Sequence, residues 1–327
     1  MNDKPSVPWV PPHRPKQRTR GGPNGFEGPM FVRQFLRFIL AACLVFSAFP
    51  SQAQTNASCT FHVFNIPVSG GVALPSSINR YGTIVGSVNL FTSHSEGFIR
   101  SSGGGVSIYK APNSSDTSIN HRNDQGVDVG SFTPSGSTAP KGFVATSTRF
   151  QTVTFPGARQ TLLTGINNFG VIVGDYLGSD NHFHGFRLKS GVFSTIHPNG
   201  AVDTFVSGIN DNGVIVGSFN TGGVDNHGFV DRSGAISTLD FPHEVGFGGT
   251  NLSNISNSGE IVGSVWTGSD TQEAFLFKSG AFKVITVPQA RLTQANGISN
   301  LNVITGHAVV VSSTGSESDR AFTATCQ

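Results

Sequence analysis

The chain has 327 residues and a formal net charge of +2, with 41 glycines and only 12% charged residues. This length allows one large domain or two ordinary ones, and a composition rich in Gly, Ser, Thr, Val and Phe but poor in Lys and Glu favours β structure over helix. Residues 1–53 carry seven Lys or Arg against two Asp or Glu, whereas residues 54–327 carry fourteen against seventeen. The body is therefore slightly acidic and lacks the basic excess that nucleic-acid-binding proteins show.

The N-terminal 53 residues are predicted to be a leader. From Met30 the chain reads MFVRQFLRFILAACLVFSAFPSQAQTN, with two arginines, an apolar run at 38–49 and small residues before a cleavage point near Ala53. This is the pattern of a secretory signal peptide, and the run is shorter than the roughly 20 apolar residues of a membrane span. We expect Met30 to be the initiator, residues 1–29 an over-long start, and the mature product secreted or periplasmic without a stable membrane span. Lipoprotein cleavage at the LAAC of Cys43 is the alternative.

The body contains a six-fold internal repeat. A five-residue turn followed by a β-branched strand, as in INDNGVIVGSF at 209–219, recurs six times at intervals of 43 to 46 residues. That period matches the roughly 40–50 residues of a four-stranded propeller blade. The turns begin at Ile78, Arg122, Ile166, Ile209, Ile255 and Ile298.

Each repeat carries the same landmarks. The fifth turn residue is glycine except for Asn302, which predicts a positive φ; an invariant glycine in the next strand, such as Gly217, predicts a close backbone approach. A small residue plus Phe, such as Gly228-Phe229, predicts a large side chain packed between blades. The resulting strands A to D are illustrated by 203–210, 214–220, 227–231 and 235–242. We therefore predict an all-β, six-bladed β-propeller of four-stranded blades that forms a single domain over 54–327.

The ring is predicted to close through both ends of the chain. The last repeat stops after its C strand at 320–326, whereas the first segment after the leader, 59–67, reads as a D strand with nothing before it. Alignment to the complete repeat at 274–288 places Cys59 and Cys326 where the C–D turn would lie. In an exported protein this predicts a Cys59–Cys326 disulfide, because two thiols without repeated His partners fall short of a metal site.

These motifs resemble a known family. The recurring IN-x-x-G-x-IVG, the HGF, EAF or RAF tripeptide and the closing strand of the TLDFP type are similar to the bacterial extracellular HAF repeat family. The resemblance implies a secreted, propeller-like protein and no activity assigned to particular residues. Only His184 and His227 keep the family's histidine, and the Trp that often follows the tripeptide is missing.

Departures from the repeat indicate where a ligand would bind. The B–C and D–A connections share one face of a propeller and are here the longest and least uniform segments, and loops on a rigid scaffold are where binding sites usually lie. Exposed aromatics with a few polar partners are typical of sugar- or peptide-binding rims, although packing between loops is the alternative for each residue. The candidate binding residues are Arg159, Tyr176, Asp180, His182, Asp225, His243, Trp266, Asp270 and Arg291, together with Phe183 and Phe247.

Metal and catalytic signatures are weak in this sequence. Asp180, Asp225 and Asp270 occupy similar points of three loops, which indicates Asx turns, with Ca²⁺ as the alternative cofactor; we otherwise expect no cofactor and no metal. The chain has no GxSxG, HExxH or Walker-type motif. After the invariant glycine, Asp175 and His307 replace serine, and an acid/base pair would require both to face one pocket.

The sequence therefore favours a non-enzymatic, monomeric binding module for a glycan or an extracellular protein. An extracellular polysaccharide hydrolase or lyase with its site over the central channel is one alternative. A structural envelope component is the other. Near-uniform blades, none of which carries a group of acids, bases and nucleophiles, favour the binding hypothesis.

Overall fold

The computed structural model describes residues 55–67, 71–90, 94–242, 248–266 and 272–327. The predicted leader, residues 1–53, lies outside this described part of the chain. Every regular element longer than a turn in these ranges is a β-strand. Across the same residues, no helix has the length and hydropathy needed to cross a membrane.

The strands form six antiparallel sheets of four. Two short strands come first, β1 (Thr55–Asn56) and β2 (Cys59–Phe64). Blade 1 contains β3 (Gly71–Ile78), β4 (Ile84–Leu90), β5 (Ser95–Arg100) and β6 (Val106–Tyr109). Blade 2 contains β7 (Ser114–Arg122), β8 (Asp128–Pro134), β9 (Lys141–Ala145) and β10 (Phe150–Val153). Blade 3 contains β11 (Gln160–Ile166), β12 (Ile172–Leu177), β13 (Phe183–Lys189) and β14 (Val192–Ile196).

The remaining blades follow the same plan. Blade 4 contains β15 (Asp203–Ile209), β16 (Val214–Asn220), β17 (His227–Arg232) and β18 (Ala235–Thr238). Blade 5 contains β19 (Thr250–Ile255), β20 (Ile261–Trp266), β21 (Gln272–Lys278) and β22 (Ala281–Ile285). Blade 6 contains β23 (Ala290–Ile298), β24 (Val303–Val311) and β25 (Glu317–Cys326), completed by β2.

These sheets form the predicted six-bladed β-propeller. Strands pair in the order A-B-C-D within each blade, and the six A strands contact one another around the ring, which makes them innermost. The strand bounds agree with the sequence pattern except in strand D. In blade 4 strand D ends at Thr238 rather than residue 242, because Asp240 turns back to accept a hydrogen bond from Gly228 N (2.9 Å) and Phe241 N donates to Thr250 Oγ1 (3.0 Å).

Ring closure occurs as predicted. Strand β2 pairs antiparallel with β25 in a register that places Cys59 opposite Cys326, and the two cysteines form a disulfide. Strand β1 adds a parallel edge to blade 5 through Thr55 and Lys283. The described part of the chain therefore begins on blade 5 with β1, crosses to blade 6 with β2, and ends on blade 6 with β25.

The repeated landmarks have the predicted roles. A Cβ on Gly217 would lie 2.1 Å from the carbonyl oxygen of Phe205, so strand A approaches too closely for any side chain there. Phe229 is fully buried and packs with Val173 of blade 3 and Val206 of its own blade. The fifth turn residues have φ between +59° and +84°. These are Gly82, Gly126, Gly170, Gly213, Gly259 and Asn302.

The A–B turns also connect neighbouring blades. Asn79 Oδ1 accepts hydrogen bonds from Tyr81 N (3.1 Å) and Thr83 N (3.0 Å) of its own turn, while its Nδ2 donates to Asn123 O of the next blade (3.3 Å). The same inter-blade bond continues from Asn123, Asn167 and Asn210. Ser256 and Ser299 hold their own turns through Oγ, but a serine is too short to reach the next blade.

Candidate functional site

The two ends of the ring present different connections. B–C and D–A segments meet at one end, which we call the loop face: Arg159 N donates to Leu177 O (2.9 Å), and Gly248 N donates to Asp225 Oδ1 (2.8 Å). Because each strand is antiparallel to its neighbour, the A–B and C–D turns lie at the other end, which we call the turn face. Every predicted binding residue within the described ranges belongs to the loop face or to the end of a strand that leads into it.

Five of the predicted residues gather around the B–C loop of blade 3, among them Phe183, whose N–H donates to Asp203 Oδ1 (2.9 Å). Arg159 Nη1 donates to Asn181 Oδ1, and the Tyr176 ring stacks on Phe155 with centroids 3.7 Å apart. Tyr176 therefore packs between loop and core, which is the alternative that the sequence left open for it.

The acidic and imidazole groups of this loop bind each other. Asp180 Oδ1 accepts from His182 N (3.2 Å), the bond of an Asx turn, and Asp180 Oδ2 lies 3.0 Å from His184 Nε2. His182 Nδ1 lies 3.2 Å from Asp203 Oδ1 of the next blade. Hydrogen bonds from His182 N and His184 hold the pKa of the Asp180 carboxyl below its usual range. The polar side chains of this loop therefore form hydrogen bonds with one another and with Asp203.

A second group surrounds an open depression of about 550 Å³ on the loop face of blade 4. Its walls combine apolar Val224, which is 77% exposed, with polar Asp225 and a His227–Asp240 pair whose Nδ1 and Oδ2 are 2.9 Å apart. Trp266 of blade 5 adjoins it, because its indole packs against Gly248, whose N–H donates to Asp225. The depression is also lined by Thr221, Gly223, Asn226, Phe241 and Pro242.

The other predicted residues lie apart from this depression or outside the described ranges. Arg291 of blade 6 donates through Nε to Glu317 Oε1 (2.8 Å), and near it His307 Nε2 lies 2.8 Å from Asp319 Oδ1. Asp270 and His243, like Phe247, fall on residues that the structure does not describe. The predicted rim is thus divided among separate blades.

Asp175 and His307 do not form an acid/base pair. Asp175 is buried and its Oδ1 accepts from Val206 N of blade 4 (2.6 Å), whereas His307 bonds to Asp319 in blade 6. Burial raises the pKa of Asp175 well above its usual range, against the opposing hydrogen bond from Val206. Asp175 therefore connects two blades.

The ring axis carries a polar network that sequence reasoning missed. The third residues of the A–B turns bond from blade to blade: Asp124 Oδ1 accepts from Arg80 N (2.9 Å), and Asp211 Oδ1 accepts from Asn168 N (2.8 Å). Asn168 Nδ2 donates to both Asp124 Oδ2 (2.8 Å) and Asp211 Oδ2 (2.9 Å). Asn300 Nδ2 reaches Asp124 Oδ2 from blade 6 (3.2 Å). The network encloses a chamber of only about 30 Å³.

Blade 2 departs from the other blades in the side chains that it places near this axis. Arg122 and Asp128 pair through two hydrogen bonds of 2.7 Å where the other blades pair Ile with Ile, as at Ile166 and Ile172. Burial raises the pKa of Asp128 even though the Arg122 guanidinium opposes that shift. A repeat alignment that compared whole turns would have shown Arg122 and Asp128 as coupled departures.

His121 lies beside this pair, deep inside the fold. Its Nδ1 is sealed from solvent and has no hydrogen-bond partner among the described residues, and its remaining open surface lines the axial chamber. Burial lowers the pKa of the imidazole to about 4, although the nearby Asp124 and Asp211 carboxylates oppose the shift. His121 is therefore neutral over most of the pH range.

Within the described ranges, no three His, Cys, Asp or Glu side chains are arranged to hold a metal ion. The loop-face depression has room and mixed polarity for a small ligand. The axial chamber has the volume of about one water molecule. Of the two, only the depression is large enough for an organic ligand.

Comparison with known proteins supports the fold. No family model and no curated protein matches this sequence. A mutant of AofleA from Arthrobotrys oligospora superposes with a TM-score of 0.50 at 12% identity, over 80% of this chain and 86% of that one. An Aleuria aurantia lectin mutant in complex with Fucalpha1-6GlcNAc gives 0.49 at 11% identity, over 78% and 93% of the two chains. A gluconolactonase from Xanthomonas campestris gives 0.46 at 14% identity, over 84% and 88%. At these identities the likeness concerns the fold alone: this chain is a six-bladed β-propeller.

Proposed function

We propose that this protein is a secreted, non-enzymatic propeller that binds a glycan in the loop-face depression of blade 4. The observation that carries the proposal is the depression itself. Its volume of about 550 Å³ falls within the roughly 300–1,000 Å³ of small-ligand sites. The predicted signal peptide and the Cys59–Cys326 disulfide support export, because disulfides persist in oxidising compartments.

The walls of the depression suit the chemistry of a sugar. A pyranose ring has an apolar C–H face, for which Val224 and Pro242 provide contact area. Its hydroxyl groups donate hydrogen bonds, for which the Asp240 carboxylate and the Asn226 amide oxygen are acceptors. The neighbouring indole of Trp266 adds a large planar surface at the edge. This combination favours a neutral saccharide over a charged peptide.

The axial chamber favours binding over catalysis at the ring centre. A hydrolase or lyase with its site in that chamber would need space for a sugar ring, but about 30 Å³ holds only about one water. Its carboxylates, Asp124 and Asp211, each accept three hydrogen bonds from neighbouring turns. These acids are thereby engaged in holding the blades together.

A glycan array followed by calorimetry on the best saccharide tests this function. Asp240→Asn should weaken binding about tenfold or more, because a charge-assisted hydrogen bond contributes about 1.5–3 kcal/mol. Asp319→Asn is the matched control, since Asp319 forms the same kind of His–Asp pair in blade 6 and should leave affinity unchanged. Both variants should unfold at similar temperatures.

Two results would overturn the proposal. One is an array with no bound saccharide, which would point to a protein ligand. The other is a saccharide whose affinity falls equally in the Asp240 and Asp319 variants, which would place its site elsewhere.

A further inference from the structure

The turn face exposes apolar side chains at one position of the repeat. Of the seven large apolar residues exposed in the described part of the chain, three occupy the fourth position of an A–B turn. They are Tyr81 (59% exposed), Phe169 (76%) and Leu301 (65%), in blades 1, 3 and 6. Val192, at the C–D turn of blade 3, is 69% exposed on the same face. Blades 2, 4 and 5 have Gln125, Asn212 and Ser258 at the equivalent position, so the turn itself does not require an apolar residue.

Exposed cationic side chains share the turn face with these tips. Arg80, Arg149, Lys189 and Arg232 are exposed and lie in, or at the strand ends next to, the A–B or C–D turns of blades 1 to 4. None of the four has an ion-pair partner within the described ranges, whereas Lys278 pairs with Glu260 at 3.1 Å. The guanidinium of Arg80 lies 5.1 Å from the Tyr81 ring centroid. Cation and apolar tip therefore stand side by side.

The acidic groups of the turn face are already engaged in internal bonds. Asp124 and Asp211 accept from the axial amides, and Asp231 Oδ1 accepts from Gly234 N. These carboxylates already accept hydrogen bonds, whereas the four exposed cations have no ion-pair partner among the described residues. Between blades 3 and 4, a groove of about 250 Å³ brings Phe169 and Lys189 together. Asp211 also lines this groove, but its carboxylate accepts hydrogen bonds from Asn168 and Asn257.

We propose that the turn face docks on an anionic lipid surface. Each apolar tip enters the interface separately, and the Arg and Lys side chains of this face contact the lipid phosphate groups. Interfacial proteins combine apolar insertion and electrostatic attraction in this way. Tyr81, Phe169 and Leu301 lie on three different blades, and the polar Gln125, Asn212 and Ser258 of blades 2, 4 and 5 separate Phe169 from the other two. A protein partner would require a contiguous anchor cluster, whereas a fluid interface accommodates isolated insertions.

This orientation leaves the loop face directed away from the lipid. The lipid proposal therefore goes beyond the glycan-binding proposal and does not depend on it, because the two use opposite ends of the ring. Loss of one activity would leave the other measurable.

Co-sedimentation with vesicles tests the docking surface. The full chain should bind vesicles of phosphatidylcholine that contain phosphatidylglycerol more tightly than pure phosphatidylcholine, and added salt should weaken that binding. Phe169→Asn introduces the residue that blade 4 has at this position, so folding is preserved, and should reduce partitioning about tenfold. Val224→Ser, which removes a 77% exposed residue from the loop face, is the matched control. Since all variants carry the same leader, its contribution is common to them.

The charge requirement has its own pair of variants. Lys189→Gln should weaken binding to anionic vesicles several-fold, whereas Lys141→Gln, an exposed lysine of the loop face, should not. Inorganic phosphate at millimolar concentration should not displace the protein if an apolar interface is needed. Displacement by phosphate alone would overturn the proposal in favour of a simple anion site.

Fluorescence locates the inserted residue directly. Phe169→Trp should show a blue shift and quenching by brominated lipid in anionic vesicles, and Val224→Trp should show neither. Equal quenching of the two, or no difference between Phe169→Asn and Val224→Ser in co-sedimentation, would rule out the turn face as the docking surface.

Discussion

His121 occupies a position where three other blades have glycine. Gly165, Gly208 and Gly297 follow the bulge of their A strands, as His121 does in blade 2. The A strands come so close there that a Cβ on Gly297 would lie 2.8 Å from the Cα of Ser77. An imidazole in this crowded place is cut off from water, and its charged form becomes unfavourable.

This burial predicts a pH-dependent stability. The folded pKa of about 4 lies below the roughly 6.5 of an unfolded histidine, so the unfolded state binds more protons between these values. Stability contributed by neutral His121 is complete above pH 6.5 and falls by about 3 kcal/mol as the pH drops to 4. Urea unfolding at several pH values should show this loss in the native chain but not in His121→Asn.

His197→Asn serves as the control for that experiment. His197 is exposed on the loop face, so its removal should leave the pH profile unchanged. A His121→Asn profile parallel to that of the native chain would show that the imidazole is hydrated.

At the scale of the element, the A–B turn has two structural roles: it reverses the chain within a blade, and it bonds to the next blade. The sequence predicts the first role but not the second. The fifth turn residue can be predicted to have a positive φ, because only Gly and Asn occur at that position. The first Asn of the turn both caps its own turn and binds the next blade, as Asn167 does through Val171 N and Asn210 O. Blades 5 and 6 replace this Asn with Ser, which retains only the local bonds.

This difference predicts the effect of shortening one turn residue. Asn167→Ser should lower the free energy of unfolding by about 1 kcal/mol, since it removes one buried inter-blade hydrogen bond. Chemical denaturation should show Asn167→Ala to be worse, because it also leaves the turn N–H groups unbonded. Asn199→Ser, in an exposed loop segment, should have no effect. Equal stabilities of the Ser and native chains would mean that water replaces the inter-blade bond.

The repeat also explains what could be predicted of the fold and the site. Strands, turn glycines and the buried Phe of each blade follow local rules, so six copies of one pattern were sufficient. The distance between residues of different blades depends on the radius of the ring and on the tilt of the strands. A local sequence pattern specifies neither quantity. Asp124 and Asn300, 176 positions apart, therefore gave no sign that they would meet. For the same reason the predicted rim separated into the groups around Asp180, Asp225 and Arg291.

For the whole molecule, the strands that flank the repeats determine whether the ring is closed. Strand β2 completes blade 6 by pairing with β25, and the disulfide takes the place of the missing C–D turn. A cross-link over 267 positions contributes up to about 5 kcal/mol in the chain-entropy model. The hydrogen bonds that close the ring and the disulfide therefore join the same two strands, β2 and β25.

Removal of this lock should destabilise the entire propeller. Cys326→Ser, or reduction of the native chain, should lower the unfolding temperature clearly in a thermal scan, and β2 should become sensitive to limited proteolysis. Cys43→Ser, within the predicted leader, is the control and should behave as the native chain. Unchanged thermal unfolding after complete reduction would show that the β2–β25 hydrogen bonds close the ring unaided.

Closure through both ends also sets the order in which the molecule can be completed during synthesis. Cys59 precedes the six repeats and its partner lies on the last strand of the sixth, so the ring stays open until all six repeats have been made. A chain that stops short of Cys326 leaves β2 without its partner strand and retains a free thiol. The disulfide can therefore form only after the sixth repeat has been synthesised, so it distinguishes a closed propeller from one that lacks its last strand.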